Sequence, residues 1–217
     1  MATAAASNAD YFDRHAGLYD DRASAQKLAR RIGDEIMDEY HFDDETTTLL
    51  DFACGTGLLS RVLAPECKRI VGIDISEEMV AQFNARVHAQ GIPEEEMHAI
   101  HADLTTNTDA FHDEKFDVAV CLMGWHHIAS PEDMTRILSS QLNTEGWLFV
   151  ADVKTLDGQT LEKHRDIVRH TEGFTEERMR EMFEAAGLVN FSWWVVTKAK
   201  MDGVNVQIFL AKGQKEK

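Results

Sequence analysis

The sequence predicts an α/β fold, a mostly parallel sheet that ends in an antiparallel hairpin. Three observations carry this. Short apolar runs alternate with amphipathic stretches of helical period, the pattern of a parallel sheet with helices on its faces. The first two runs end in acids, Asp51 and Asp74, each followed by a turn or a helix start. The last two runs are joined only by the polar stretch AKMDG, which reads as a hairpin connection.

The elements follow in order. A short helix is expected around Asp10–Tyr19 and an amphipathic one over Gln26–Tyr40. The first strand is Thr47–Phe52, followed by a glycine turn and a helix over Gly57–Leu63. Strand Ile70–Asp74 leads to helix Glu77–Gln90, where Ser76 is placed to cap and Glu77 and Glu78 suit the positive helix end. Strands Met97–Ala102 and Phe116–Met123 come next. Pro131 fits a first helical position, with Ser130 before it as cap, so a helix is expected over Pro131–Gln141. Strand Gly146–Val153 closes the alternation. Lys154–Gly173 is polar and partly helical. Thr175 caps a helix over Glu176–Ala186, and Gly187 ends it. Strands Val189–Lys198 and Val204–Lys212 form the hairpin. No linker divides the chain, so one domain is expected over residues 1–217.

Composition narrows the function classes. Of 217 residues, 44% are hydrophobic and 28% charged, as in ordinary globular proteins. The net charge of −16 repels phosphate backbones, and the only basic cluster is Lys27, Arg30 and Arg31 on a helix face. Nucleic acid is therefore not an expected partner. Cys54, Cys67 and Cys121 form no C-x-x-C pair, which argues against a disulfide framework or a structural zinc site and for a reducing compartment. The N-terminus lacks a signal-like apolar core, and no apolar run approaches the roughly 18 residues of a membrane span. A cytoplasmic location, or a nuclear one by diffusion, is expected, with no membrane partner.

The stretch LLDFACGTGLLS, Leu49–Ser60, carries the chemistry. A strand, a glycine turn and a helix start place backbone N–H groups and a helix dipole at one point, and glycines let a ligand touch the main chain. Asp74, ending the second strand, can accept two ribose hydroxyls. A dinucleotide fingerprint would need Gly or Ala at position 60, where Ser60 stands. Asp51, just before the turn, would repel a pyrophosphate but attract a cation. The ligand expected from these residues has a ribose and a positive charge and no phosphate, which fits S-adenosylmethionine.

Together, DFACGTG, GIDIS, HADL and FDVAVCLMGWHHI resemble the class I S-adenosylmethionine-dependent methyltransferases. YFDRHAGLYDD and GFTEERMREMFEAAGL are similar to the small-molecule members, in particular the ubiquinone/menaquinone C-methyltransferase group. The resemblance implies a single Rossmann-like sheet of seven strands with helices on both faces. It divides the chain into an N-terminal helical cap over 1–45, a cofactor-binding half over 46–153, and an acceptor-side segment with the hairpin over 154–217. It assigns Asp51, Ala53, Gly55 and Gly57 to the first cofactor loop, Asp51 toward the ammonium. It assigns Asp74 to the ribose, Ile75 to the adenine face, and Asp103 and Leu104 to the adenine edge. Cys121, Leu122 and Met123 would line the pocket, although a half-buried strand cysteine also suits inert packing. Tyr11 and Tyr19 either close over the methionine end or simply pack. Residues 1–22, with the apolar side chains Tyr11, Phe12 and Tyr19, are expected to act as a lid.

GWHHI sits beyond the carboxyl end of the fourth strand, where parallel sheets bind ligands. Methyl transfer is an in-line displacement that releases S-adenosylhomocysteine, and a base helps only if the acceptor must lose a proton. His126 is the candidate base, and a continuing pleat would turn His127 away. A structural role for the pair is the alternative. Adjacent histidines diverge on a strand, as do His98 and His101, so no metal site is expected. Trp193 and Trp194 are expected to pack, one on the sheet and one on a helix or a partner. The absence of an N/D-P-P-Y/F tetrapeptide after the fourth strand and of a large insertion favours a small organic acceptor. A protein side-chain acceptor, a non-catalytic methyltransferase-like partner and a dinucleotide reductase are the alternatives, and the chain is expected as a monomer or homodimer.

Overall fold

The computed structural model describes residues 4–107, 110–156, 158–161, 166–201 and 203–217. Helices α1 (Ala4–Tyr19) and α2 (Ala23–Glu39) precede β1 (Thr48–Phe52) and α3 (Leu58–Leu63). Then come β2 (Arg69–Asp74), α4 (Glu77–Ala89), β3 (Met97–His101), β4 (Phe116–Leu122), α5 (Pro131–Gln141) and β5 (Leu142–Thr155). Helix α6 (Glu176–Ala185) and the hairpin β6 (Leu188–Met201) and β7 (Val204–Lys215) complete the fold. The seven strands form one sheet in the order β3-β2-β1-β4-β5-β7-β6. Strands β1 to β5 pair in parallel, and β7 runs antiparallel between β5 and β6.

The period-2 alternation of the strands divides the core. Leu49, Ile70, Val118 and Phe149 face Ile32 and Ile36 of α2, Leu59 and Leu63 of α3, and Phe83 of α4. Leu50, Val71, Ala119 and Val150 face Met134 and Leu138 of α5 and Met179 and Phe183 of α6. The two faces are thus covered separately, and the order of strands reverses its direction between β1 and β4. Such a switch point leaves a crevice at the carboxyl ends of the strands.

Helix ends follow the sequence in two of three places. Ser76 Oγ accepts the Met79 N–H at 3.1 Å, and Thr175 Oγ1 accepts the Arg178 N–H at 3.3 Å. Ser130 is at the N-cap position of α5 but makes no capping bond. Its hydroxyl donates instead to Asp133 at 2.6 Å, so Pro131 carries the helix start. Trp193 stacks on Phe209 of the sheet, and the Trp194 indole donates to Glu35 of α2 at 2.9 Å. Among the described residues no helix is long and apolar enough to cross a membrane.

Candidate active site

The carboxyl ends of β1, β2 and β4, the start of α5 and one face of α1 enclose a cavity of about 790 Å³. A smaller one, about 60 Å³, adjoins it and shares Tyr19, Ala53, Gly55, Leu122 and Met123 as walls. The backbone bends sharply toward both. Ala53 (φ 55°), Gly55 (φ 52°) and Met123 (φ 59°) all lie in the left-handed region. For Ala53 and Met123 that conformation is costly, and such strain gathers at ligand sites.

The two glycines of the turn differ. A Cβ on Gly55 would meet only the Met79 sulfur, at 3.9 Å, so the space over Gly55 is open to a ligand. A Cβ on Gly57 would lie 2.6 Å from the ring of Phe83, which is buried in the core. Gly57 lines neither cavity, and its φ of 81° starts α3. Packing against Phe83 thus requires a glycine at position 57, whereas the space over Gly55 is open.

The acids sit as anchors. Asp74 ends β2 with each carboxylate oxygen holding one backbone N–H, Gly55 at 2.8 Å and Ser76 at 2.9 Å. Burial pushes its carboxyl up, and those N–H groups oppose the shift. Asp51 is 1% exposed and accepts the Ser60 hydroxyl at 2.5 Å. Burial pushes it up to about 7 against that hydrogen bond. Asp103 spends one oxygen on the N–H and hydroxyl of Thr105, at 2.9 and 2.7 Å, in a local turn.

A stability prediction follows for Asp51. Its folded-state pKa is above its unfolded one, so between about pH 4 and pH 7 the folded chain binds the extra proton. Stability therefore falls as pH rises through that window, and the full cost is present above it. Asp51→Asn should gain on the unsubstituted chain in urea unfolding at pH 8, and the gain should shrink at pH 5. A gain that is the same at both pH values would show that Asp51 does not titrate in this way.

Of the residues singled out from sequence, Tyr19, Ala53, Gly55, Asp74, Ile75, Asp103, Leu104 and Met123 line the larger cavity, and Asp51 lines the smaller. Besides Gly57, three others line neither. Tyr11 lies off the cavity stripe of α1, which consists of Ala5, Asn8, Phe12 and Tyr19 at helical spacing, and its ring stacks on His15. Cys121 points into the core on the α5 side, one pleat away from Leu122. His126 is 4% exposed, and its Nδ1 lies 2.8 Å from Asp152. His127 lines the cavity in its place. The two histidines do not follow a strand pleat, because β4 ends at Leu122 and residues Trp125–His127 form a 3-10 turn.

Asp152 organises that turn. It is fully buried and accepts the N–H groups of Trp125 and His126 at 2.8 and 3.2 Å. Burial pushes its carboxyl up, but the His126 imidazole, the Val153 N–H and His127 together hold it below the usual range. His127 Nδ1 lies 3.0 Å from the Ile167 carbonyl. Only an Nδ1–H can satisfy that contact. The Phe12 ring meets His127 edge to face at 5.2 Å, and Asn8 donates to the His127 carbonyl at 3.0 Å. Asn8 was missed because the helix reading began at Asp10. The spacing of Ala5, Asn8 and Phe12 was the available signal. Among the described residues no group of three or more His, Cys, Asp or Glu is placed to hold a metal ion.

Comparison with known proteins adds to this geometry. The family model described as a methyltransferase domain matches residues 22–192. An uncharacterized methyltransferase of Schizosaccharomyces pombe is 40% identical over 177 residues, which are 77% of this chain and 61% of that protein. A ubiquinone biosynthesis O-methyltransferase of Hydrogenovibrio crunogenus is 29% identical over 106 residues, 48% of this chain and 42% of that one. The chain thus spans less than two thirds of either relative. Geranyl diphosphate C-methyltransferase of Streptomyces coelicolor, solved with S-adenosyl-L-homocysteine, shares the fold with a TM-score of 0.73 at 13% identity, over 99% of this chain and 98% of that one. The sequence similarity is to O-methyltransferases and does not single out the C-methyltransferase group, while the likeness to the solved structure is one of fold.

Proposed function

Because the chain belongs to the class I S-adenosylmethionine-dependent methyltransferases, we propose that its cavity joins that cofactor to a small organic acceptor. The observation that carries this is the pair of acids around an open glycine turn, the buried Asp51 behind it and the partly buried Asp74 beside it. When bound, the cofactor supplies a methyl group on a sulfonium, which passes to the acceptor by in-line displacement and leaves S-adenosylhomocysteine.

The residues fit that ligand. Asp74 has one lone pair left on each oxygen after its two backbone bonds, and these receive the ribose hydroxyls. Ile75 and Leu104 supply apolar walls for the adenine, and the second oxygen of Asp103 takes its amino group. Asp51 faces the ammonium end, where a cation draws its raised pKa back down. Tyr19 closes over the turn, and α1 acts as the lid.

Phe12, Ile128, Ala129, Met134 and Ile137 give the rest of the cavity an apolar wall. That suits a small, largely apolar acceptor held for displacement with water excluded. His127 lines this space and is the histidine placed to serve acceptors that must lose a proton. The likeness to O-methyltransferases agrees with a hydroxyl acceptor.

Thermal unfolding with added ligands tests the reading. At a hundredfold excess over Kd, a ligand that binds only the folded chain adds about 2.7 kcal/mol, which corresponds to roughly 5–10 °C in Tm. S-adenosylmethionine and S-adenosylhomocysteine should produce such a shift, and the nicotinamide dinucleotides should not. A shift with the dinucleotides alone would replace this reading with a reductase.

A further inference from the structure

The turn around Gly55 is gripped from two sides. Asp74 holds it from within the site, through the Gly55 N–H at 2.8 Å. From the outside it is held by Asp20, in the corner between α1 and α2, which lines neither cavity. One Asp20 oxygen accepts the hydroxyl of Thr56, which is 1% exposed and stands between the two glycines. The other is 2.8 Å from the Arg61 guanidinium of α3 and 3.1 Å from that of Arg86 of α4. Arg61 also donates to the Thr56 carbonyl at 2.9 Å. Thr56 is thus fixed at both its side chain and its main chain.

We propose that Asp20 is a positioning residue for the amino-acid half of the cofactor. The inference rests on the cofactor reading above and adds a residue to it. A turn with Ala53, Gly55 and Gly57 all in left-handed conformations is kept in place by its surroundings. Asp20 supplies that hold, acting through Thr56. The effect is local, because Thr56 and Asp51 line only the smaller cavity, while Asp74, Ile75 and Leu104 line only the larger. Loss of Asp20 loosens the end of the site that receives the amino acid and leaves the nucleoside end in place. Asp20 also joins this turn to Tyr19, its neighbour in the chain, so the wall over the turn and the turn itself are held by one carboxylate. Two guanidinium groups meet at that carboxylate, and without it they would face each other unpaired in a half-buried site.

Calorimetry on the full chain with two probes, S-adenosylhomocysteine and adenosine, separates this role from general support of the fold. In Asp20→Ala, affinity for S-adenosylhomocysteine should fall roughly tenfold or more, the loss of a charge-assisted hydrogen bond, while adenosine affinity stays within about twofold. Asp20→Asn keeps an oxygen for Thr56 and drops the charge, so its loss should be smaller and equally confined to S-adenosylhomocysteine. It carries the test if the alanine variant does not fold. Equal losses for both probes, or no loss for either, would overturn the proposal. If the unsubstituted chain fails to bind S-adenosylhomocysteine, the cofactor reading falls, and this inference falls with it.

Discussion

Asp74→Ala is expected to bind S-adenosylhomocysteine at least about a hundredfold more weakly than the unsubstituted chain. Two hydrogen bonds from ribose hydroxyls to a carboxylate are removed, at roughly 1.5–3 kcal/mol each. Each 1.4 kcal/mol is tenfold in Kd. The carboxylate also holds the N–H groups of Gly55 and Ser76, so its loss frees the turn and the start of α4 together. Asp74→Asn is no gentle substitute. An amide turned either way presents an NH₂ to one of two backbone donors, where both oxygens now accept. Isothermal calorimetry with S-adenosylhomocysteine and with free adenine reads the two contributions separately. Adenine lacks the ribose, so its weaker binding should survive the substitution if the walls at Ile75 and Leu104 stay in place. An unchanged affinity for S-adenosylhomocysteine would take Asp74 out of the site.

What could be read from the sequence follows the physical range of each signal. The strands were legible because each is a short apolar run with a sharp stop, and Asp51 and Asp74 mark the ends of β1 and β2 region by their charge. The far ends of β5, β6 and β7 were not. Strand β5 starts at Leu142, ahead of the expected Gly146, and runs through the polar residues Asn143, Thr144 and Glu145, which lie between the Phe116–Leu142 and Val118–Trp147 pairs. Glu145 adopts a φ of 65°, and the register with β4 shifts between Phe116 and Val118. Such pairing is a property of the neighbour strand and leaves no periodicity in the sequence itself.

The site was legible where one residue does one local task. Gly55 and Asp74 are of that kind. Gly57 was not, because its demand comes from Phe83, 26 positions on in the chain, and a glycine looks the same whether a ligand or a ring excludes its side chain. Asp20 was not, because its partners Thr56, Arg61 and Arg86 meet only after α1, α3 and α4 have packed. The two histidines were assigned in reverse for a related reason. The pleat of a strand predicts directions only while the strand lasts, and Met123 ends it with a left-handed residue.

That reversal sets the second large expectation. On an acceptor that must lose a proton, His127→Ala should lower turnover by about 10²–10⁴, the range for removing a general base. The rising acid limb of the kcat profile should disappear with it. S-adenosylhomocysteine affinity should hardly change, because the assigned cofactor walls are elsewhere. His126→Ala should behave differently. Its imidazole is buried against Asp152, and removing it leaves a buried carboxylate short of its partner, which costs about 3–5 kcal/mol where a buried pair is broken. Asp152 is held below its usual range by that imidazole together with the Val153 N–H and His127, so the pair supports the folded chain only where the carboxylate is ionised. The penalty in His126→Ala should therefore be fully present above about pH 4, the ordinary carboxylate value, and shrink only as pH falls below it and protonates Asp152. Denaturant unfolding at about pH 7 and about pH 3 reads this directly. Turnover in any folded His126 variant should keep the acid limb that His127 provides. If the limb vanishes with His126 and survives loss of His127, the base is His126 acting through a rearranged turn, and the assignment of His127 fails.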